Sequence, residues 1–169
     1  MTCAQLENWL GESTAIIRAM PNTPALIGLG ITGMFANENV NPSHKLLGTN
    51  ILSAVGTYVY ENLKSNKVLI NKPQGGFYLM PEFLNKKFKS SSEMCDDILI
   101  KTGVALLPGS DFGFDKTRML VRLSFTDFDG KKFMQETQNE QMIKNNLILK
   151  FAPKIVEGVD KLKKWSESI

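Results

Sequence analysis

The sequence predicts a mixed α/β chain of the α+β kind: a small mixed sheet with helices packed on it, built in two parts. Three observations carry that expectation. Short runs of β-branched and aromatic residues recur between capped, periodic helical segments. The last quarter holds a helical stripe in which Leu147, Phe151, Ile155, Val159, Leu162 and Trp165 recur at spacings of four and three, with lysines opposite. Charge is also uneven, with seven charged side chains in residues 1–64 and thirty in the following 105. Such a shift marks a compositional seam, and a weakly charged segment suits burial against neighbours.

Residues 4–10 read as a short helix closed by Gly11. "TAIIRAM" reads as a strand and "PNTP" as a turn, because both prolines fix φ and the second restricts Thr23. "LGITGMFA" is a second strand. Asn41 and Pro42 supply a cap and a first helical position, and Leu47, Ile51 and Val55 give a stripe ending at Gly56. "TYVYE" is then a third strand, for a β-loop-β-α-β order. Past the seam, "VLI" and "GGFYLM" are strands around the turn "NKPQGG". Ser90 and Glu93 form a capping-box pattern for a helix stopping at Gly103. "VALLPG" is a short strand running into a turn, and "RMLVRLSFTDF" is a strand rich in β-branched and aromatic residues. The rest is helical, and Pro153 separates two helices.

A chain of 169 residues fits one ordinary domain or two small ones, and 43% hydrophobic with 22% charged residues describes a globular protein. Its apolar runs are too short to cross a membrane, and "MTCAQLENWL" lacks a basic, apolar leader pattern. Cys3 and Cys95 stand alone, which suits a reducing cytosol, so a cytoplasmic location is expected. A net charge of +3 is too small to argue for nucleic acid.

Gly28, Gly30 and Gly33 fall in a G-x-G-x-x-G frame. That fingerprint needs a buried strand before the first glycine and a helix opening at the third. Pro24 cuts the preceding run to three residues, and "NENVNP" follows too soon for a crossover helix. Positions 44–60 hold no Asp or Glu to grip a ribose. The frame reads as a Gly-rich strand or bend.

Two stretches resemble two families. "IIRAMPNTPALIGLGITGMFANENV…AVGTYVYE", within residues 3–62, resembles the middle of pyrroline-5-carboxylate reductase through M-P-N-T-P and the apolar strand after it. The resemblance implies a partial Rossmann-like segment over residues 1–64. "KPQGGFYLMPEF", "GVALLPGSDFG" and "VRLSFTDFDG", in that order within residues 67–166, resemble the C-terminal small domain of class I/II aminotransferases of the aspartate and aromatic type. "FAPKIVEGVDKLKKW" is similar to that group's closing helix, which implies a small C-terminal domain over residues 65–169.

The aminotransferase resemblance implies that Arg122, in its "R-L-S" strand, receives a substrate carboxylate. Arginine suits that task because its planar fork makes two parallel charge-assisted bonds. The competing reading pairs Arg122 with Asp127 or Asp129 on the surface. The reductase resemblance implies that Asn22 and Thr23 lie near substrate and nicotinamide, against a plain Asx or ST turn. The aminotransferase resemblance implies that Pro108, Gly109 and Gly113 shape the loop between two strands, and His44 reads as a solvated residue.

Neither stretch brings its family's chemical anchor. The reductase-like part starts beyond that family's dinucleotide loop. In the other part, Ser65-Asn66-Lys67 is the nearest approach to an imine-forming lysine site, and "VLIN" after it does not fit. The expectation is a fusion near residues 61–67, natural, engineered or truncated, and non-catalytic alone. No catalytic residue, metal or cofactor is assigned to the isolated chain. Pyridoxal phosphate and NAD(P) enter by resemblance only, and an amino-acid or oxo-acid substrate only with a complementing large domain. Apolar surfaces turned toward absent neighbours leave a homo-oligomer open.

Overall fold

The computed structural model describes residues 2–21, 32–137 and 143–169. Helix α1 (Cys3–Leu10) begins at Thr2, whose Oγ1 accepts the Gln5 amide at 3.3 Å while Gln5 Oε1 accepts the Thr2 amide at 2.8 Å. Strands β1 (Ile17–Pro21) and β2 (Thr32–Ala36) pair antiparallel, with Ile17 opposite Ala36 and Pro21 opposite Thr32. Buried Asn37 ties this ribbon to α1. Its Oδ1 accepts the Ile16 amide at 3.0 Å, and its Nδ2 donates to Glu7 Oε1 at 2.7 Å and to the Thr14 carbonyl at 2.9 Å.

Helix α2 (Pro42–Leu63) overturns two expectations at once. It starts as its sequence signals, with Asn41 Oδ1 accepting the Ser43 amide at 2.9 Å and Pro42 in the first turn. It does not end at Gly56, and residues 57–61 are helix rather than a strand, so this part of the chain runs β-β-α. Leu47, Ile51, Val55, Val59 and Leu63 recur every fourth residue and are all buried. Burying a Val or Leu stabilises by about 1.5–3 kcal/mol. Strand preference spans only about 1 kcal/mol per residue. Burial of the helical stripe therefore wins. Gly56 is a contact point instead of a terminator: a Cβ there would lie 2.9 Å from Cζ of Phe125.

Helix α3 (Ser91–Thr102) is capped by Ser90, whose Oγ accepts the Glu93 amide at 3.2 Å, and closes at Gly103 with φ +73°. The Glu93 carboxylate reaches one residue further back than a strict capping box, accepting the Lys89 amide at 2.8 Å. Helix α4 (Gly130–Thr137) follows Asp129, whose Oδ1 accepts the Lys132 amide at 3.0 Å. Helices α5 (Asn145–Phe151) and α6 (Pro153–Glu167) part at Pro153, as the sequence predicts.

The strands are short. β3 (Val68–Leu69) pairs with β5 (Glu82–Phe83), and β4 (Tyr78–Leu79) and β6 (Leu107–Pro108) flank β7 (Val121–Ser124) in an antiparallel sheet of order β4-β7-β6. One apolar cluster joins the buried stripe of α2 to Leu79, Val121, Leu123 and Phe125 from the sheet side and to residues of α3, α5 and α6. Trp165 of α6 seals it, edge-on to Phe83 and stacked with Phe88, its Nε1 donating to Asp97 at 2.8 Å. The core thus runs across the compositional seam.

Candidate functional site

Strand alternation sorts the residues of β7 between two faces. Val121 and Leu123 point into the core, while Arg122 is half-buried and Ser124 exposed on the other face. Tyr78 stands opposite Ser124 and Leu107 opposite Arg122, so all four share that outer face. After β6 the chain makes a tight 3-10 turn (Gly109–Phe112) ended by Gly113 with φ +84°. Gly109 is required by close approach: its amide donates to the Leu120 carbonyl at 2.7 Å, and a Cβ would sit 2.8 Å from that oxygen. The turn delivers Phe112 to Arg122.

The Arg122 guanidinium carbon lies 4.7 Å from the Phe112 ring centroid and 5.4 Å from that of Tyr78. Those distances are within reach of a cation–π interaction. The surface pairing with Asp127 or Asp129 does not form. Asp127 faces Lys154 at 3.2 Å, and Asp129 caps α4. Among the described residues no carboxylate or carbonyl takes a hydrogen bond from Arg122. Arg118, four residues earlier, shows the opposite arrangement, a fork closed on Glu82 with Nε–Oε1 3.0 Å and Nη2–Oε2 2.5 Å. That carboxylate raises the Arg118 pKa above its ordinary value.

Asn22, Thr23, Gly28 and Gly30 lie outside the described residues, and Gly33 pairs with Met20 within the β1–β2 ribbon. Lys67 donates its Nζ to the main-chain oxygens of Glu167 at 3.1 Å and Ile169 at 3.0 Å, holding the end of α6. An imine-forming lysine must present its amine to an aldehyde, so the residues around Lys67 do not fit pyridoxal phosphate as the anchor. His44 sits in the first turn of α2, and no described group of three or more His, Cys, Asp or Glu is placed to hold a metal ion. Cys95 is buried, and burial, reinforced by Asp96 and Asp111, pushes its thiol up to about 12.

A cleft of about 390 Å³ between the end of α3, β7 and α6 is lined by Asp127, Lys154, Glu157 and Lys161, among others. Its charges are matched within it, Lys154 to Asp127 at 3.2 Å and Lys161 to Glu157 at 2.7 Å.

The sequence reading missed Tyr78 and Phe112 as neighbours of Arg122. Both lie inside motifs it singled out, "GGFYLM" and "PGSDFG", but only the strand register brings them to one arginine.

No family model matches the sequence. Part of it is similar to pyrroline-5-carboxylate reductase of Pseudomonas aeruginosa, 46% identical over 54 residues, which are 32% of this chain and 20% of that protein. Part is similar to aspartate aminotransferase of Sulfolobus acidocaldarius, 37% identical over 71 residues, 40% of this chain and 18% of that protein. The structure is similar to alanine aminotransferase from Pyrococcus furiosus, with TM-score 0.50 and 21% identity over 70% of this chain and 24% of that one. At that identity the likeness concerns the fold. The chain spans a quarter or less of each of these proteins. No helix among the described residues is long and apolar enough to cross a membrane. Partial likeness to two unrelated enzymes, with an aminotransferase neighbour in fold, fits a fusion of two fragments.

Proposed function

We propose that the chain is an aminotransferase-like small domain joined to a reductase-like segment, non-catalytic by itself, whose Arg122 receives a carboxylate. One observation carries the reading. The three motifs of the aminotransferase resemblance converge on one sheet, and the arginine at its centre keeps its fork open among the described residues. Open parallel donors in a plane are the chemistry that a carboxylate requires. The engagement of Lys67 with two main-chain oxygens supports the non-catalytic half of the reading. Transamination of dicarboxylic or aromatic amino acids would then need a complementing large domain that brings the cofactor.

The test is spectroscopic. Incubation of the purified chain with pyridoxal phosphate should give no stable imine absorbance, and adding aspartate with an oxo acid should change nothing. A lasting band abolished by substituting one particular lysine would overturn the non-catalytic reading. With a complementing large domain that buries the carboxylate contact, Arg122→Ala should weaken amino-acid binding by about 2–5 kcal/mol. Unchanged binding would remove Arg122 from the site.

A further inference from the structure

We propose that Tyr78 and Phe112 are positioning residues for Arg122: the two rings orient the guanidinium so that its in-plane N–H groups face an incoming carboxylate. The inference rests on the carboxylate reading above and deepens it. An arginine side chain samples many rotamers, and something must fix its plane before two parallel bonds can form together. Arg118 is fixed by a carboxylate, Glu82, which occupies the donors it aligns. At Arg122 aromatic rings at 4.7 Å and 5.4 Å take that orienting role, since a guanidinium laid against a ring face keeps its in-plane N–H groups for other acceptors.

The rings come from the two flanks of β7. Tyr78 is set by β4 opposite Ser124, and Phe112 by the turn after β6. That turn is held by backbone hydrogen bonds, the Gly113 amide donating to the Ser110 carbonyl at 3.1 Å and the Gly109 amide to the Leu120 carbonyl. Neither ring belongs to the fully buried core, since both are only half-buried. A Leu in either place keeps bulk and removes the π face.

The experiment is NMR on the full chain, with the Arg122 Nε–Hε signal assigned by its loss in Arg122→Lys. In the wild type the Arg122 side-chain protons should be shifted upfield by ring currents. Phe112→Leu and Tyr78→Leu should each diminish that shift, and Phe112→Tyr should restore it, with amide dispersion unchanged throughout. Acetate is the probe for the second arm. It should move the Nε–Hε signal, and each Leu variant should raise the half-saturating acetate concentration about two- to tenfold, the span expected for a cation–π contact. The positioning role is refuted by absent ring-current shifts, by shifts that survive both Leu substitutions, or by Leu variants that bind acetate as the wild type does. Ring-current shifts lost on substitution, with acetate silent in the wild type, would support the clamp and refute the carboxylate reading alone.

Discussion

Gly56→Ala tests the packing of α2 against the sheet, because two effects of known sign compete at one atom. Alanine in a helix interior is favoured over glycine by about 1 kcal/mol. Against this, the new Cβ would lie 2.9 Å from Phe125 Cζ and 3.3 Å from Cε2. Phe125 is 1% exposed, so its ring has no open space to swing into. Overpacking a filled core costs about 1–3 kcal/mol. The sum is a loss of roughly 1 kcal/mol, with a Tm fall of about 2–4 °C for a chain of this size. Gly48 supplies the internal control in the same helix. A Cβ there meets Ile17 Cδ1 at 3.6 Å, an ordinary contact, so Gly48→Ala should stabilise by about 0.5–1 kcal/mol. Urea unfolding of both variants should therefore give opposite signs. In a Phe125→Leu background the ring edge is gone, and Gly56→Ala should turn stabilising, a coupling of about 1–2 kcal/mol. If both glycine substitutions shift stability the same way, or if Phe125→Leu leaves the Gly56 effect untouched, the contact between α2 and the sheet is not the one described.

Three further expectations concern the core and its edge. Trp165→Phe removes the indole donor to Asp97 and part of the stacking on Phe88, and should cost about 1–2 kcal/mol in urea unfolding, since Asp97 keeps Lys101 at 2.6 Å. The Asp97 carboxyl is held below its ordinary value, first by the hydrogen bond from Lys101 and then by that from Trp165. A depressed carboxyl contributes stability that is present above the unfolded-state value, near pH 4, and is lost as pH falls through the folded one. Asp97→Asn should flatten the stability-versus-pH curve in that acid window and leave its shape near neutrality unchanged. A curve as steep as the wild type's would dismiss the interaction. Native Cys95, with its thiol raised to about 12, should resist alkylation at pH 8 and react at once in denaturant. Mass spectrometry of modified peptides reads this, and fast native labelling would contradict the burial.

Local signals were legible wherever the chemistry itself is local. The Asn41-Pro42 start, the Ser90 cap, the Gly103 stop and the break at Pro153 each depend on a few adjacent residues, and each stands where the sequence puts it. The misreading of residues 57–61 has a different origin. Thr57, Tyr58, Val59 and Tyr60 have strand-forming side chains, and only the partners packed against Val59 and Leu63 decide otherwise. Gly56 misled for the same reason. In sequence it looks like punctuation, while in the fold it is the space a phenylalanine 69 positions later occupies.

The candidate site divides along the same line. Arg122 could be singled out because its own strand carries the motif. Tyr78 and Phe112 lie 44 and 10 residues before it in the chain, and nothing local says they will share its face. Their meeting follows from two strand registers, Tyr78 against Ser124 and Leu107 against Arg122, and a register displaced by one residue would turn each side chain to the other face. The inward residues of the same strands prevent that slip. Moving β7 by one place would expose Val121 and Leu123 and drive Arg122 into the core, an arrangement that burial of a lone guanidinium forbids. The hydrophobic pattern that secures the core therefore also aims the arginine outward. The site inherits its geometry from packing on the opposite face of the sheet.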